Sequence, residues 1–217
     1  GFPRLYAYDL KRKACLLERL GKPIQQPGCS VHRQLEMICS ALEKVWEIPV
    51  TDADLPEGED SASWFREFLG ETWEKLNRPC SRKVMDQAFA YLQSREKALN
   101  PEEYVLLHGD AHGRNTLETL SGDDYKLIDP DGIFYEKAYD LGVLMREWTE
   151  EYDQFPLEKG KERCNYLHRL TGVPEQAIWE WGYLQTVSTG FVLLQIGQEK
   201  TGHQMLRTAE HWVEQVT

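Results

Sequence analysis

The chain has 217 residues, with 25 Lys and Arg against 36 Asp and Glu, a formal net charge of −11. A hydrophobic fraction of 41%, with seven Trp and ten Tyr, supplies a core and excludes a disordered chain. The acidic balance, with no dense Lys/Arg stripe, argues against nucleic acid and favours cationic small molecules as partners. The longest apolar stretch, Phe191 to Ile196, is broken by Gln195 and is too short to span a bilayer, so no membrane partner is expected. Five cysteines, Cys15, Cys29, Cys39, Cys80 and Cys164, form no C-x-x-C pair and read as reduced, buried thiols. The opening residues carry no signal-peptide pattern, so a cytoplasmic location is expected.

Leu5 to Tyr8, a turn over Asp9 to Lys13, and Ala14 to Leu17 predict an antiparallel hairpin, followed by a Gly/Pro/Gln-rich connector from Gly21 to Gly28. Ser30 predicts the cap of a helix whose apolar face is Val31, Leu35, Ile38, Leu42 and Val45. Thr51 to Ser63, acidic and carrying Pro56 and Gly58, reads as a solvated loop. The helical period restarts at Trp64 and runs through Phe65, Phe68, Leu69, Trp73 and Leu76. Another helix is predicted from Ser81 to about Leu99, closed by Asn100-Pro101.

Between Tyr104 and Phe134 the period switches to extended, with Val105-Leu106-Leu107 and Leu127-Ile128 on either side of the turn Ser121 to Asp124. Helices resume at Leu141 to Tyr152, at Pro156 to Leu170 closed by Thr171-Gly172, at a segment begun by Pro174, and at Gly202 to Val216. Trp148, Trp179, Trp181 and Trp212 read as core. Glu147, Glu150, Glu151 and Asp153 read as a solvated helix end, or else as an acidic rim that attracts a polyamine. The one loop-and-strand patch in a helical body is where chemistry is expected.

That patch reads His108-Gly109-Asp110-Ala111-His112-Gly113-Arg114-Asn115, then a hairpin, then Ile128-Asp129-Pro130-Asp131-Gly132. Asp110 can accept or orient a hydroxyl proton, Asn115 is a neutral oxygen ligand and Asp129 a charged one. Mg²⁺ takes hard oxygens, few from protein and the rest from phosphate and water, a demand that Asn115 and Asp129 meet. The order H-x-D-x-x-x-x-N, then an Asp after an apolar strand, matches that of kinase catalytic loops.

With Tyr139-Asp140-Leu141-Gly142 as its last element, the pattern resembles the aminoglycoside phosphotransferase family, with its kinase-like fold. Ile128 to Gly132, and A-C-L-L-E-R-L-G over Ala14 to Gly21, are most similar to its streptomycin 6-kinase and hydroxyurea phosphotransferase branch. The chain departs from that family's usual loop at Ala111 and at Gly113-Arg114. The resemblance implies an α+β, mainly α fold, with residues 1–28 ending an N-terminal lobe and forming the hinge, and 29–217 forming a helical catalytic and substrate lobe. It implies ATP and Mg²⁺ as cofactors and a small hydroxyl-bearing acceptor. That acceptor is left open among streptomycin-like aminoglycosides, hydroxyurea and an endogenous sugar or amino alcohol. Asp110 is implied as catalytic base, with His108 beside it bracing the catalytic loop, and Asn115 and Asp129 as metal ligands. Glu18, Arg19 and Leu20 are implied as the adenine-binding hinge, and Leu117 and Ile128 as the floor of the nucleotide pocket.

No Gly-rich phosphate loop and no strand lysine precede the hinge, so further strands are expected before Gly1, and these 217 residues alone are expected not to turn over ATP. Two rival readings stand beside this one. His108, Asp110 and His112 alternate, so on an extended segment they would face one side and bind zinc, with Asp129 or Asp131 completing a hydrolase site. The other rival is a catalytically silent kinase-like module that binds a partner through its helical lobe.

Overall fold

The computed structural model describes residues 1–50 and 58–213, with backbone alone for 58–62. Strands β1 (Leu5–Asp9) and β2 (Ala14–Leu17) form the predicted antiparallel hairpin. The Asp9 carboxylate closes its turn by accepting from the backbone N–H of Lys11 and of Arg12, both at 3.0 Å. Both faces of this two-stranded sheet are largely exposed.

Helix α1 (Val31–Trp46) begins where Ser30 predicts, its hydroxyl accepting from Arg33 N–H at 3.3 Å, and buries Leu35, Ile38, Leu42 and Val45. Helix α2 (Gly58–Lys75) starts earlier than the sequence reading, so the solvated loop does not extend to Ser63; residues 51–57 lie outside the described residues. Once Phe65, Leu69 and Trp73 are buried, extending the helix upstream fixes one residue per added hydrogen bond, which costs little beside nucleation. Helix α3 (Arg82–Ala98) is capped by Ser81 and followed by a 3₁₀ turn at Pro101–Glu103.

Four three-residue strands follow: β3 (Val105–Leu107), β4 (Thr116–Glu118), β5 (Tyr125–Leu127) and β6 (Ile133–Tyr135). They make two antiparallel pairs, β3 with β6 and β4 with β5. The connector lies along β4: Gly21 N–H donates to Glu118 O at 2.7 Å, Glu118 N–H to Lys22 O at 3.0 Å, and Ile24 N–H to Thr116 O at 2.9 Å. The Gly/Pro-rich segment is thereby fixed as an edge of the patch.

The predicted helix from Leu141 to Tyr152 is two elements, α4 (Ala138–Arg146) and a 3₁₀ turn at Thr149–Tyr152, split where Trp148 takes a left-handed φ of 52°. The cause is distant in sequence. Arg163 is buried beneath the break and donates through Nη1 to the carbonyls of Leu144, Met145 and Glu147, the last at 2.5 Å, satisfying the helix end. Helix α5 (Pro156–Thr171) stops at Gly172, with φ 72°. Helix α6 (Glu175–Gln195) runs through the core, and α7 (Glu199–Val213) starts before Gly202; Val216 lies outside the described residues.

Helices α4 and α6 approach closely because two glycines face them. A Cβ on Gly142 would lie 2.8 Å from Trp181, and one on Gly182 would lie 2.6 Å from Met145 Cβ. That contact sets α6 against the end of α4, a registration the site depends on. Trp181 and Trp212 are fully buried, whereas Trp148 and Trp179 are half-buried. All five thiols are free. Cys39, Cys80 and Cys164 are buried as expected, but Cys15 sits on the open hairpin and Cys29 on a half-exposed turn, because neither segment packs into the core. Among the described residues no helix is long and apolar enough to cross a membrane.

Candidate active site

The loop after β3 carries His108 to Asn115, and the segment after β5 carries Asp129 to Gly132. His108 is fully buried and joins them: its Nε2 donates to Ile128 O at 2.9 Å, its Nδ1 accepts from Asp110 N–H at 3.2 Å, and its carbonyl accepts from Asp131 N–H at 2.8 Å. Both ring nitrogens are spent on the fold, which makes His108 a brace. Gly109 has φ +88°, and a Cβ there would meet Asp131 Cβ at 2.7 Å, so the two loops touch only because residue 109 has no side chain.

Asp140, at the start of α4, lies wholly buried beneath this junction. Its Oδ1 accepts from Gly109 N–H at 2.7 Å, and its Oδ2 accepts from His108 N–H at 3.1 Å and Trp46 Nε1–H at 2.9 Å. Burial raises the Asp140 carboxyl above its ordinary pKa, while the three donors favour the charged form.

Asn115 and Ile128, the residue before Asp129, extend the β4–β5 pair at its end. Ile128 N–H donates to Asn115 O at 2.9 Å, so Asn115 is aligned with the residue just before Asp129. Strand alternation places Asn115, Leu117, Lys126 and Ile128 on the face opposite buried Thr116 and Leu127. Asn115 Nδ2 donates to Asp110 O at 3.1 Å, and no described residue donates to its amide oxygen or to the exposed Asp129 carboxylate. Asp129 holds a positive φ of 60°, a costly conformation for a residue with a side chain and one that gathers at functional sites. Two hard oxygens, one neutral and one charged, are thus left unspent, a donor set that suits Mg²⁺.

The zinc arrangement fails in this geometry. Both ring nitrogens of His108 are already bonded to backbone, to Ile128 O and from Asp110 N–H, so His108 has no nitrogen left to ligate a metal beside Asp110 and His112. Among the described residues no group of three His, Cys, Asp or Glu is placed to hold a metal.

Asp110 is half-buried between two cavities. One, of about 440 Å³, is lined by His112, Arg146, Glu147, Glu150 and Thr189 among others. The other, of about 280 Å³, is walled by Trp64, Phe68, Asp131, Gln185 and Ser188. Asp110 Oδ1 accepts from Arg146 Nη2 at 2.5 Å, and its Oδ2 lies 3.4 Å from His112 Nε2. Burial works to raise its pKa, but the His112 hydrogen bond and the Arg146 charge hold the carboxyl below the usual carboxylate value. Asp131, with burial first and Asp110 second, is pushed above it.

The acidic segment after α4 divides. Glu151 pairs with Arg163 at 2.6 Å and Asp153 accepts from Gln204 at 2.7 Å, so these two serve the fold. Glu147 and Glu150 line the larger cavity. Arg146, with Gln185 and Thr189 behind it, is the part of the site that the sequence reading missed; its one local signal was a charge closing an apolar helix.

Glu18, Arg19 and Leu20 follow β2. Glu18 is spent on structure: its carboxylate pairs with Lys126 and accepts from Arg4 N–H, and its own N–H donates to Arg4 O at 2.8 Å. Arg19 and Leu20 keep backbone groups with no partner among the described residues. Leu117 is bridged to Pro23 in the connector, which brings the Glu18–Leu20 segment and the Leu117–Ile128 face to the same edge of the patch.

This is a kinase-like fold, mainly α with short paired strands. It is similar to the choline kinase LicA from Streptococcus pneumoniae, at a TM-score of 0.64 and 15% identity over 98% of this chain and 74% of that one. It is also similar to aminoglycoside 2'-phosphotransferase-IIIa in its GDP complex, at 0.61 and 14% over 100% and 77%. A third likeness is aminoglycoside phosphotransferase APH(3'')-Id from Streptomyces rimosus, with ADP and streptomycin, at 0.54 and 16% over 84% and 75%. No curated protein sequence matches the chain. A family model described as aminoglycoside/hydroxyurea antibiotic resistance kinase matches residues 1–197, and the chain belongs to that family.

Proposed function

We propose that the protein carrying this chain transfers the γ-phosphate of ATP, with Mg²⁺, to a hydroxyl of a small cationic acceptor. In this reading residues 1–28 end the smaller lobe and form the hinge, and 29–217 form the lobe that holds acceptor and metal. The observation that carries it is the pairing of a half-buried carboxylate facing two cavities, Asp110, with the unspent oxygens of Asn115 and Asp129. Asn115 and Asp129 would hold Mg²⁺, which would supply charge neutralisation for the transferring group. Asp110 orients the acceptor hydroxyl and takes its proton; its depressed pKa keeps it ionised, as orientation in a loose transition state requires. Arg19 and Leu20 offer backbone groups to adenine, and Leu117 and Ile128 give it an apolar floor. Glu147 and Glu150 draw an amine-bearing acceptor into the larger cavity.

The test is a nucleotide-consumption screen of the full protein that carries this chain, against aminoglycosides, hydroxyurea and small amino alcohols, with and without Mg²⁺. Acceptor-dependent, Mg²⁺-dependent ADP release supports the reading. No release with any acceptor, together with no binding of Mg²⁺-ATP, favours the silent module instead.

A further inference from the structure

Helix α4 meets the Asp110 loop at both of its ends. At the first turn Asp140 accepts from the backbone N–H groups of His108 and Gly109, and at the last residue Arg146 reaches the side chain of Asp110. Six residues separate the two, about 9 Å of helix at 1.5 Å per residue. One rigid element therefore fixes the loop's backbone at one end and its carboxylate at the other.

The Arg146 side chain is itself held from behind. It is 15% exposed, and Nη1 donates to Gln185 Oε1 at 2.6 Å and to Thr189 Oγ1 at 3.0 Å, both on α6. Glu147 Oε1 lies 3.9 Å from its Nε, too far for a hydrogen bond, and that nitrogen is buried without an acceptor. The neutral acceptors on α6 aim the guanidinium, and the Gly142 and Gly182 contacts fix α6 against α4. Arg146 also lines both cavities that flank Asp110. A purely structural ion pair gains nothing from standing at the meeting point of two cavities, where water competes for both partners.

We propose that Arg146 is a positioning residue for phosphoryl transfer. By holding Oδ1 of Asp110 it fixes the carboxylate plane, so that Oδ2 receives the acceptor hydroxyl. This rests on the phosphotransferase reading above. In the step it serves, a bond forms between acceptor oxygen and γ-phosphorus as the bond to the β,γ-bridging oxygen breaks. The hydroxyl proton passes to Oδ2, and the nucleoside diphosphate leaves with the electron pair. Arg146 stays bound to Oδ1 throughout and gains no bond to the reacting atoms.

The experiment compares Arg146→Met, Arg146→Lys, Arg146→Ala and Thr189→Val, each made in the full protein that carries this chain, with that protein unaltered under saturating Mg²⁺-nucleotide, following kcat, both KM values and thermal midpoint. Arg146→Met is expected to lose about 10²-fold in kcat, the cost of a misplaced reacting group, with both KM values within about twofold. Arg146→Lys, which keeps a charge but loses the fork, is expected to recover part of that loss. Free guanidinium ion added to Arg146→Ala is expected to restore turnover, a rescue that a merely structural arginine does not show. If Arg146→Met fails to fold, Thr189→Val loosens the fork from behind and is expected to lower kcat alone. Unchanged or raised kcat in the folded variants overturns the proposal, as does a loss confined to KM or matched by unfolding. Absence of any transfer by the unaltered full protein that carries this chain overturns instead the reading on which it rests.

Discussion

The hairpin β1–β2 and the α4–α6 contact are two extremes of the same chain. In the hairpin, Leu5, Tyr6, Tyr8, Leu16 and Leu17 face solvent, and the segment is held to the rest at its edges, by Glu18, by the connector and by Gly1, whose carbonyl accepts from Leu127 N–H at 2.8 Å. A lone two-stranded sheet of this kind is marginal in water. In the α4–α6 contact, glycines bring the helix backbones together, and Leu141, Leu144, Met145, Trp181 and Leu184 are wholly buried. The groups that aim Asp110 stand on the second region, and the segment proposed to meet adenine stands beside the first. Aiming a carboxylate demands a rigid support, whereas a hinge works through its backbone groups and tolerates a loose one.

The sharpest contrast is in thiol chemistry. Burial pushes the Cys80 and Cys164 thiols up to about 12, and Cys39 higher still. A raised thiol pKa means less thiolate at any pH below it, roughly 10³-fold less at pH 8 than for an ordinary thiol near 8.5. Labelling with a thiol reagent at pH 8 is therefore expected to modify Cys15 on the hairpin first and to reach the three buried thiols only on unfolding. Fast reaction of all five breaks the contrast.

Next in size is Asp140→Ala, which leaves the N–H groups of His108 and Gly109 and the Trp46 indole without an acceptor in a dry site. Thermal unfolding is expected to register a loss of about 3 kcal/mol or more. Gly182→Ala drives a methyl into Met145 and is expected to cost about 1–3 kcal/mol. Leu16→Ser on the hairpin is expected to shift stability by no more than about 0.5 kcal/mol. A larger shift there would mean the hairpin is held by contacts as firm as those of the core.

What the sequence made legible follows the reach of each signal. The Asp9 turn, the Ser30 cap and the Gly172 stop are local, written within a few residues of where they act. The same is true of the spacing from His108 to Asn115. The break after Arg146 was not legible, because Arg163 ends that helix from another helix. Nor was the Arg146–Asp110 pair, which spans 36 residues and is backed by Gln185 and Thr189 on α6, a helix packed on α4 through Gly142 and Gly182. The start of α2 was misread because a loop-like composition lost to propagation from the buried turn at Phe65 and Leu69.

The most direct test of the central claim is the turnover of Asp110→Ala, made in the full protein that carries this chain, at saturating acceptor and Mg²⁺-nucleotide. A carboxylate that orients the hydroxyl and takes its proton predicts a kcat lower by about 10² to 10⁴-fold, with nucleotide KM little changed. A loss of tenfold or less in a folded variant would contradict it and reduce Asp110 to a member of the loop's scaffold.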